Sequence, residues 1–309
     1  MTENLRLSQV HFNKKGTVII FILFVIAFAS SLIITISEES VDNYEEVNKV
    51  YLMNQSYIYA KTAIKIVENL ITDDDFKSDT KEDDWYNIPL YPLNNGYISI
   101  EIKPTNAKIN LNNINSDERV SSAWDSLCDE YDIIDEKSPV IKDWIDNDTK
   151  ISQMGLEMEE YEYFGNIYNT KNAPFDTLTE LDLINSDLYN KMKNNFTVIS
   201  NDNKLNVNFV DSETLEFYIP ELSFYAEDIV NYREYNEYED ISEIRKAAPI
   251  SNNTYMEVVD LLTVKSTTFY IKININMADV DFYYHVLLQR NQNNANVVKF
   301  FKGANKDFY

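Results

Sequence analysis

The chain has 309 residues, 44% of them hydrophobic, and a formal net charge of −24 at pH 7. It can therefore bury a substantial core, but its acidity argues against nucleic-acid binding, which depends on cationic contacts to phosphate. The single cysteine, Cys128, excludes an internal disulfide framework, and the five scattered glycines exclude a glycine-rich loop that cradles phosphates.

An uncharged stretch at residues 17–36 follows a short basic leader. About twenty apolar residues in a helix cross the hydrocarbon core of a bilayer. Arg6, Lys14 and Lys15 precede the stretch, and acidic residues are frequent after it. Because positive residues remain on the cytoplasmic side, the pattern predicts one membrane crossing with the rest of the chain outside.

Two kinds of processing fit this N-terminus. A secretory signal is cleaved at small residues after its apolar core, and residues 27–31 include two alanines and two serines. The break at Lys15-Gly16-Thr17 precedes the apolar run instead, so cleavage there keeps the helix on the mature protein. The N-terminus resembles that of a type IV pilin-like precursor, which favours cleavage between Gly16 and Thr17.

One long helix is predicted over residues 17–70, about 80 Å at 1.5 Å per residue, because neither proline nor glycine interrupts it. Apolar residues recur at helical spacing through Tyr44, Val47 and Tyr51. By analogy with helix bundles, we expect this face to contact partner subunits, or else to pack on the chain's own sheet. A hinge near residue 37 is the alternative to a single helix.

Strand patterns lie on both sides of a long helical region. Period-two alternation predicts a half-buried strand at residues 97–103, and residues 109–111 are expected to pair with it across a turn at 104–107. Residues 263–275 and 283–289 are predicted as closing strands. Ile271, Ile273 and Ile275 share one face of the first of these two strands.

Two helical blocks are predicted between these strands, over residues 116–193 and 211–262, with a short strand at 198–200. The first block contains helical stretches at 120–131, 139–145, 158–168 and 176–188. The asparagine-rich tail from Asn291 is expected to fray. Because helices interrupt a sheet without a βαβ alternation, the predicted fold class is α+β.

Residues 108–113 and 204–208 share an apolar-Asn-apolar-Asn pattern, each just before a helical block. Asparagine side chains accept backbone N–H bonds at turns and at helix starts. The repetition predicts two similar helical modules, each following a similar strand.

An ordered set of motifs along most of the chain resembles one known family. The set consists of Lys15-Gly16 with the apolar helix, Ile109-Asn110-Leu111-Asn112, the run from Ile141 through Asp143, Trp144 and Asp146 to Asp148, Gly155-Leu156-Glu157 leading to Tyr161, Leu205-Asn206-Val207-Asn208, the trio Ala226, Ile229 and Arg233, and the strand entry at 263–269. Together these resemble minor pseudopilin K of type II secretion systems, also called general secretion pathway protein K.

This resemblance implies a pilin-like fold, in which a long N-terminal helix packs on an antiparallel sheet and an all-α domain of the SAM-like or helix-hairpin-helix-like kind is inserted. The implied divisions are a prepilin-type leader at 1–16, a transmembrane helix at 17–36, the helix stem and first strands at 37–111, the inserted helical domain at 112–197, a strand and second helical module at 198–262, and closing strands with the tail at 263–309.

The resemblance also implies a non-enzymatic role at the tip of a pseudopilus, beside minor pseudopilins I and J and the major pseudopilin. There the subunit initiates assembly of the fibre that exports folded proteins across the outer membrane. Prepilin peptidase would cleave between Gly16 and Thr17, and the new N-terminus would be methylated. The chain would cross the inner membrane once, with its C-terminal domain in the periplasm.

Phe21 becomes the fifth mature residue after that cleavage. Most pilin-like subunits carry a glutamate there, which neutralises the N-terminus of a neighbouring subunit, whereas a lone carboxylate in lipid is costly. A tip subunit has no onward neighbour that requires the pair. Phe21 is therefore predicted to contact partners, unless it only faces lipid.

Carboxylates are dense in the first helical block, at Asp143, Asp146, Asp148, Glu157 and Glu160. Hard oxygen ligands suit Ca²⁺, which takes six to eight of them, although the spacing is not that of an EF-hand loop. We expect a structural calcium site that joins the Asp146 loop to the Glu157 segment. The resemblance supports it, because the family's helical domain is associated with calcium. Solvated acidic surface is the alternative.

Two other functions fit parts of the sequence. A minor pilin of a type IV pilus or DNA-uptake machine shares the processing and the helix but lacks the helical insert. A signal-anchored periplasmic hydrolase would use paired carboxylates as acid and base, with Trp85, Trp124 or Trp144 lining a sugar cleft. His285, the only histidine after the leader, lies in a predicted strand, which argues against histidine-based catalysis.

Overall fold

The computed structural model describes residues 14–157, 170–199, 204–292 and 294–308, with side chains of the first helix given from Ile22 onward except at residues 41 and 42. The helical stretch predicted at 158–168 lies outside the described residues. The chain divides into two compact units, with the boundary between Tyr57 and Ile58.

The first unit, where it is described, is helical. It belongs to α1 (Lys14–Asp73), which at 1.5 Å per residue is about 90 Å long. The helix passes residue 37 without a hinge. From Ile22 it is long and apolar enough to cross a membrane, and apolar side chains such as Phe24 and Ile33 are exposed.

The second unit combines short helices with nine strands in the described residues. Its other helices are α2 (Glu118–Glu130), α3 (Ser138–Ile145), α4 (Leu181–Ile184), α5 (Leu188–Met192), α6 (Ser212–Tyr218), α7 (Ala226–Tyr232), α8 (Ile244–Ala247) and α9 (Asn252–Val258). The strands are β1 (Tyr91–Leu93), β2 (Gly96–Pro104), β3 (Ile109–Asn110), β4 (Phe196–Thr197), β5 (Leu205–Asn206), β6 (Leu262–Thr263), β7 (Thr268–Met277), β8 (Val280–Arg290) and β9 (Ala295–Gly303).

Five of these strands form an antiparallel sheet in the order β1-β2-β7-β8-β9. Ile271, Ile273 and Ile275 of β7 are fully buried, as their alternation predicted. Opposite them, Ile98 pairs with Ile275 and Ile102 with Ile271. Directly opposed residues share a face and pack together, so these isoleucines form one apolar surface of the sheet.

The part of α1 that belongs to the second unit also has a buried apolar stripe. Ala63, Val67 and Ile71 recur every four residues and are buried, as expected for a helix that covers a core. At its end, the Thr72 hydroxyl accepts a hydrogen bond from the Ala295 amide at 3.1 Å. The long helix, the antiparallel sheet and the further helices confirm the predicted α+β, pilin-like fold class.

The predicted pairing of residues 109–111 with the strand at 97–103 is wrong. β3 pairs in parallel with β4, and β2 pairs with β1 and β7 instead. The chain leaves the sheet in the turn Thr105–Ala107, where Thr105 Oγ1 and Asn106 Nδ2 donate hydrogen bonds to the carbonyls of Thr268 and Lys265. These bonds attach the turn to the chain next to β7, and the residues after the turn continue into β3 and the helical region.

Two further strand predictions need correction. The short strand predicted at residues 198–200 lies at Phe196–Thr197. The tail from Asn291, predicted to fray, contains β9, which pairs along β8. Asn291 and Asn294 close the connection between them, because the Asn291 amide donates to the Asn294 carbonyl at 2.9 Å. The asparagines therefore mark a turn and not the end of the fold.

The two apolar-Asn runs begin two helical modules of the same design. Module one runs from β3 to β4 and module two from β5 to β6, and each pair of two-residue strands is parallel. In each run the first asparagine side chain accepts the amide two residues on, from Asn112 to Asn110 and from Asn208 to Asn206.

The side chain of the second asparagine in each run forms hydrogen bonds to the backbone of a residue far along the sequence. Asn112 accepts from the Phe175 amide and donates to the Phe175 carbonyl at 2.8 and 3.0 Å. Asn208 bonds the Tyr238 amide and carbonyl in the same way, at 3.0 and 2.9 Å. The residue bonded in this way is 63 positions away in module one and 30 positions away in module two. Module one therefore contains a longer connection.

Candidate functional site

The acidic residues of module one lie in that longer connection, where α3 ends. The helix buries Trp144 and Ile145, and Asp146 follows in an extended conformation that stops it. The chain then turns on its own aspartates, because the Asp148 amide donates to Asp146 Oδ1 at 3.2 Å and the Lys150 amide to Asp148 Oδ1 at 2.8 Å.

Three carboxylates converge at this turn. One oxygen each of Asp146, Asp148 and Glu157 lie within 4.8 Å of one another; we refer to these three residues as the Asp146 group. Burial raises the pKa of Asp146, and the charges of Asp148 and Asp143 act in the same direction against a hydrogen bond from the Asp148 amide. A calcium ion about 2.4 Å from each ligand spans a set of this width.

Asp143 lies beside the group but not within it. Its side chain is fully buried, and Oδ2 accepts the Ser152 amide at 3.0 Å. A Cβ on Gly155 would lie 1.9 Å from Oδ2, so any side chain there would displace the buried Asp143 carboxylate. The other oxygen, Oδ1, has no hydrogen-bond partner among the described residues.

Asn172 joins the same place from far along the sequence. Its amide donates to the Trp144 carbonyl at 2.9 Å, and Nδ2 donates to the Asp148 carbonyl at 3.0 Å. Its buried Oδ1, like Oδ1 of Asp143, accepts no hydrogen bond from the described part of the chain. Buried oxygens of this kind normally have a partner, which can be a water or an ion.

The structure thus brings together three of the five predicted ligands and places Asp143 next to them. Glu160 lies outside the described residues. Sequence reasoning missed Asn172 and Thr170, whose hydroxyl donates to Glu157 Oε2 at 3.2 Å. No local spacing signals either residue, because both reach the group through the fold of the connection.

A second acidic group has its own cation. Asp74, Asp79 and Asp83 offer oxygens within 4.8 Å of one another, and we call them the Arg290 group. Arg290 donates to Asp74 at 2.9 Å and to both oxygens of Asp79 at 2.6 Å. Burial raises the pKa of Asp79 to about 6, although the Arg290 charge opposes the rise. This group ties the end of α1 to β8.

The predicted contact residues of α1 are solvent-exposed. Tyr44, Val47 and Tyr51 are 72%, 68% and 60% exposed. Gly16 and Thr17 lie within α1. The side chains of Thr17 and Phe21 are outside the described part of the structure.

The tryptophans and the histidine considered for a hydrolase are buried. Trp85, Trp124 and Trp144 are at most 2% exposed, so none presents an open ring face for stacking on a sugar. Trp85 borders an acidic cavity of about 740 Å³ near the Arg290 group. His285 lies in β8, as predicted, where Nδ1 is 2.6 Å from the Tyr270 hydroxyl and Nε2 is 2.9 Å from the Ala304 carbonyl. Burial lowers the pKa of His285, which fits a neutral, structural histidine.

Comparisons with known proteins agree with this architecture. Residues 107–201 match the family model described as "Type II secretion system (T2SS), protein K", a span that coincides with module one. No individual curated protein matches the chain. A solved chain from the GspK-GspI-GspJ complex of the enterotoxigenic Escherichia coli Type 2 Secretion System shares the fold, with a TM-score of 0.70 over 84% of this chain and 99% of that chain at 17% sequence identity.

The sequence match and the shared fold confirm the resemblance to minor pseudopilin K that the motifs indicated. The sequence match covers the helical insert, and the structural match extends over most of the chain. Residues 107–201 are therefore similar to protein K of the type II secretion system, and most of the chain shares the fold of a chain from the GspK-GspI-GspJ complex.

Proposed function

We propose that this chain is a non-enzymatic minor pseudopilin at the tip of a type II secretion pseudopilus, where it initiates assembly for the export of folded proteins across the outer membrane. One observation carries the proposal. The segment that matches protein K is the helical module placed between β2 and β7, which are neighbouring strands of the pilin-like sheet. A bare pilin has no such module, which weighs against a minor pilin of a type IV pilus or DNA-uptake machine.

The N-terminal helix supplies the anchor in this proposal. Prepilin peptidase cleaves between Gly16 and Thr17, and the retained helix crosses the inner membrane once. The cations at Lys14 and Lys15 remain in the cytoplasm, which places the C-terminal domain in the periplasm. The candidate span found from Ile22 onward supports this arrangement.

The proposed partners are minor pseudopilins of the I and J types, together with the major pseudopilin. The related E. coli protein was crystallised in a GspK-GspI-GspJ complex. The exposed side chains of Tyr44, Val47 and Tyr51, with Phe21, form the proposed contact face. Apolar residues recurring on one side of a helix suit packing against other helices.

The Asp146 group is proposed to hold one structural calcium ion, with Asp143 beside it. The donor set fits, because it offers carboxylate oxygens and the Oδ1 atoms of Asp143 and Asn172, for which the described residues supply no hydrogen-bond donor. Bound calcium would fasten the Asp146 loop to the Glu157 segment. We propose residues 112–197 as the inserted helical domain that the ion stabilises.

Co-purification tests the assembly. The full-length chain, expressed with the I-type and J-type pseudopilins of the same genome and extracted in a neutral detergent, is expected to elute with both. Its N-terminus, mapped by mass spectrometry, is expected to be Thr17. Val47→Glu with Tyr51→Glu should abolish co-elution, because charges on an apolar helix face prevent packing.

Ile134→Glu provides the matched control, because Ile134 is an equally exposed apolar residue, at 78%, outside α1. It should leave the complex intact. Elution of the wild-type chain alone would overturn the proposed assembly, and a mature N-terminus near residue 31 would overturn the proposed processing.

A further inference from the structure

Five lysines line one cavity in this strongly acidic chain. The cavity has a volume of about 480 Å³ and lies where the sheet, module one and the tail segment 304–308 meet. The lysines are Lys103, Lys108, Lys193, Lys272 and Lys306. The chain has 51 acidic and 27 basic residues, so this lining, with five lysines and a single carboxylate, is opposite in charge to the chain as a whole.

Most of these lysines are more buried than ordinary surface lysines. Lys103, Lys108, Lys193 and Lys272 are half-buried, whereas lysines are usually exposed because dehydrating an ammonium group is unfavourable. Burial lowers the pKa of Lys108 to about 8, and the charge of Lys103 acts in the same direction. At Lys103 burial also acts to lower the pKa, but the hydrogen bond and charge of Glu101 and the charge of Asp307 raise it overall. The cavity therefore holds ammonium groups that depend on nearby carboxylates for their charge.

One carboxylate of the chain already enters the cavity. Asp307 in the tail lies 2.8 Å from Lys272 and 3.4 Å from Lys103. Burial acts to raise the pKa of Asp307, but the hydrogen bond from Lys272 and the two lysine charges lower it overall. The cavity thus stabilises a carboxylate in its ionised form.

The other lysines of the cavity have different partners. Lys306 pairs with Asp182 at 3.0 Å, and Glu101 adds a second carboxylate to Lys103. Lys193 donates to the Asn190 side chain at 3.3 Å, and no carboxylate of the described residues forms an ion pair with it. Lys108 donates to the Lys193 carbonyl at 2.7 Å, and the charge of Asp211 acts to raise the pKa of Lys108. Asp307, Asp182 and Glu101 are the carboxylates that form ion pairs with Lys103, Lys272 and Lys306.

We propose that this cavity binds an acidic segment of a partner protein, whose Asp or Glu side chains enter beside Asp307. The proposal is independent of the assembly through α1, because it uses a different surface. Lysines act as point charges that suit separate carboxylates, whereas phosphate sites typically add arginine forks or backbone amides. No arginine lies among the described residues that line this cavity, and the anion it already holds is a carboxylate.

Fluorescence anisotropy with a labelled hexaglutamate peptide tests the proposal. The full-length chain in neutral detergent is measured at about 0.15 M salt, where the Debye length of about 8 Å screens repulsion from the rest of the acidic chain. We expect saturable binding. Lys193→Gln with Lys306→Gln should weaken it about tenfold or more, and Asp307→Asn should tighten it by removing the internal competitor.

Lys299→Gln with Lys302→Gln is the matched control. It changes the net charge equally, but both lysines are exposed on β9 and neither lines the cavity. It should change the affinity less than twofold. Absence of saturable binding, or equal weakening by the two double variants, would overturn the proposal. So would displacement of the peptide by micromolar inorganic phosphate, because that result would identify a phosphate site.

Discussion

Arg290 distinguishes the two acidic groups of this chain. Both groups bring three carboxylate oxygens within 4.8 Å, but in the Arg290 group a buried guanidinium already supplies the counter-charge through bonds of 2.6 to 2.9 Å. At the Asp146 group, no lysine or arginine of the described residues pairs with Asp146 or Asp148. Clustered carboxylates repel one another unless a cation lies between them, so the Asp146 group is the one that suits calcium.

Calcium is therefore expected to raise the melting temperature of the full-length chain in detergent. Binding at a hundredfold excess over Kd adds about 2.7 kcal/mol, or about 5 °C for a domain of this size. Asp146→Asn should remove the effect, because it deletes one charge and leaves the shape. Differential scanning fluorimetry with and without CaCl₂ measures this.

Asp228→Asn on α7 is the control, because it removes an exposed aspartate outside the Asp146 group. MgCl₂ at the same ionic strength controls for screening, since Mg²⁺ loses its water reluctantly. If Asp146→Asn keeps the full calcium shift, or if magnesium produces an equal one, the Asp146 group is not a calcium site.

At the scale of elements, each helical module is closed by one asparagine. Asn208 is 2% exposed, and it bonds the Tyr238 amide and carbonyl and also the Asp79 carbonyl at 3.0 Å. It therefore connects module two to the loop that carries Asp79. Asn112 is less buried, and its third bond, to the Val198 carbonyl at 2.9 Å, stays within module one.

Asn208→Leu is predicted to lower the free energy of unfolding by about 2 to 4 kcal/mol, because it leaves three buried backbone groups without partners. Asn112→Leu should cost less, since water can reach part of that site. Urea denaturation followed by tryptophan fluorescence compares them. Asn253→Leu, at an exposed position of α9, is the control and should change stability by less than about 0.5 kcal/mol. A smaller loss for Asn208→Leu than for Asn112→Leu would contradict this account.

Local sequence patterns were sufficient to predict the elements in which buried residues alternate as in a strand or in which a motif is repeated. The alternation at Ile271, Ile273 and Ile275 predicted β7, and the repeated asparagine runs predicted two similar modules. β3 and β4 were not predictable as a pair, because two-residue parallel strands are positioned by the helices between them. β9 was missed because asparagines that close its turn were read as a frayed end. The Asp146 group was predicted in part, since Asn172 and Thr170 reach it only through the folded connection.

At the scale of the whole second unit, the tail segment 304–308 joins the sheet to module one. On the sheet, Lys272 donates to the Asn305 carbonyl at 2.8 Å, and the Phe308 ring lies 4.6 Å from the ring of His285. On module one, the Leu178 amide donates to the Phe308 carbonyl at 3.2 Å, and the Tyr189 hydroxyl to the Asp307 carbonyl at 2.8 Å. The tail thus holds module one to the sheet at a second place, in addition to the chain connection that leads into β3.

Ending the chain after Gly303 is therefore predicted to loosen module one selectively. The truncation removes these hydrogen bonds, the Lys272–Asp307 ion pair and the packing of Phe308, so the free energy of unfolding should fall by about 2 to 4 kcal/mol. Hydrogen exchange should accelerate across residues 178–189 while residues 205–263 keep their protection. Lys306→Gln, which removes a partly exposed ion pair with Asp182 and the contact of the ammonium with the Tyr189 ring, is the milder variant and should cost less than about 1 kcal/mol. Uniform acceleration across both modules would show that the tail stabilises the second unit as a whole and does not fasten module one in particular.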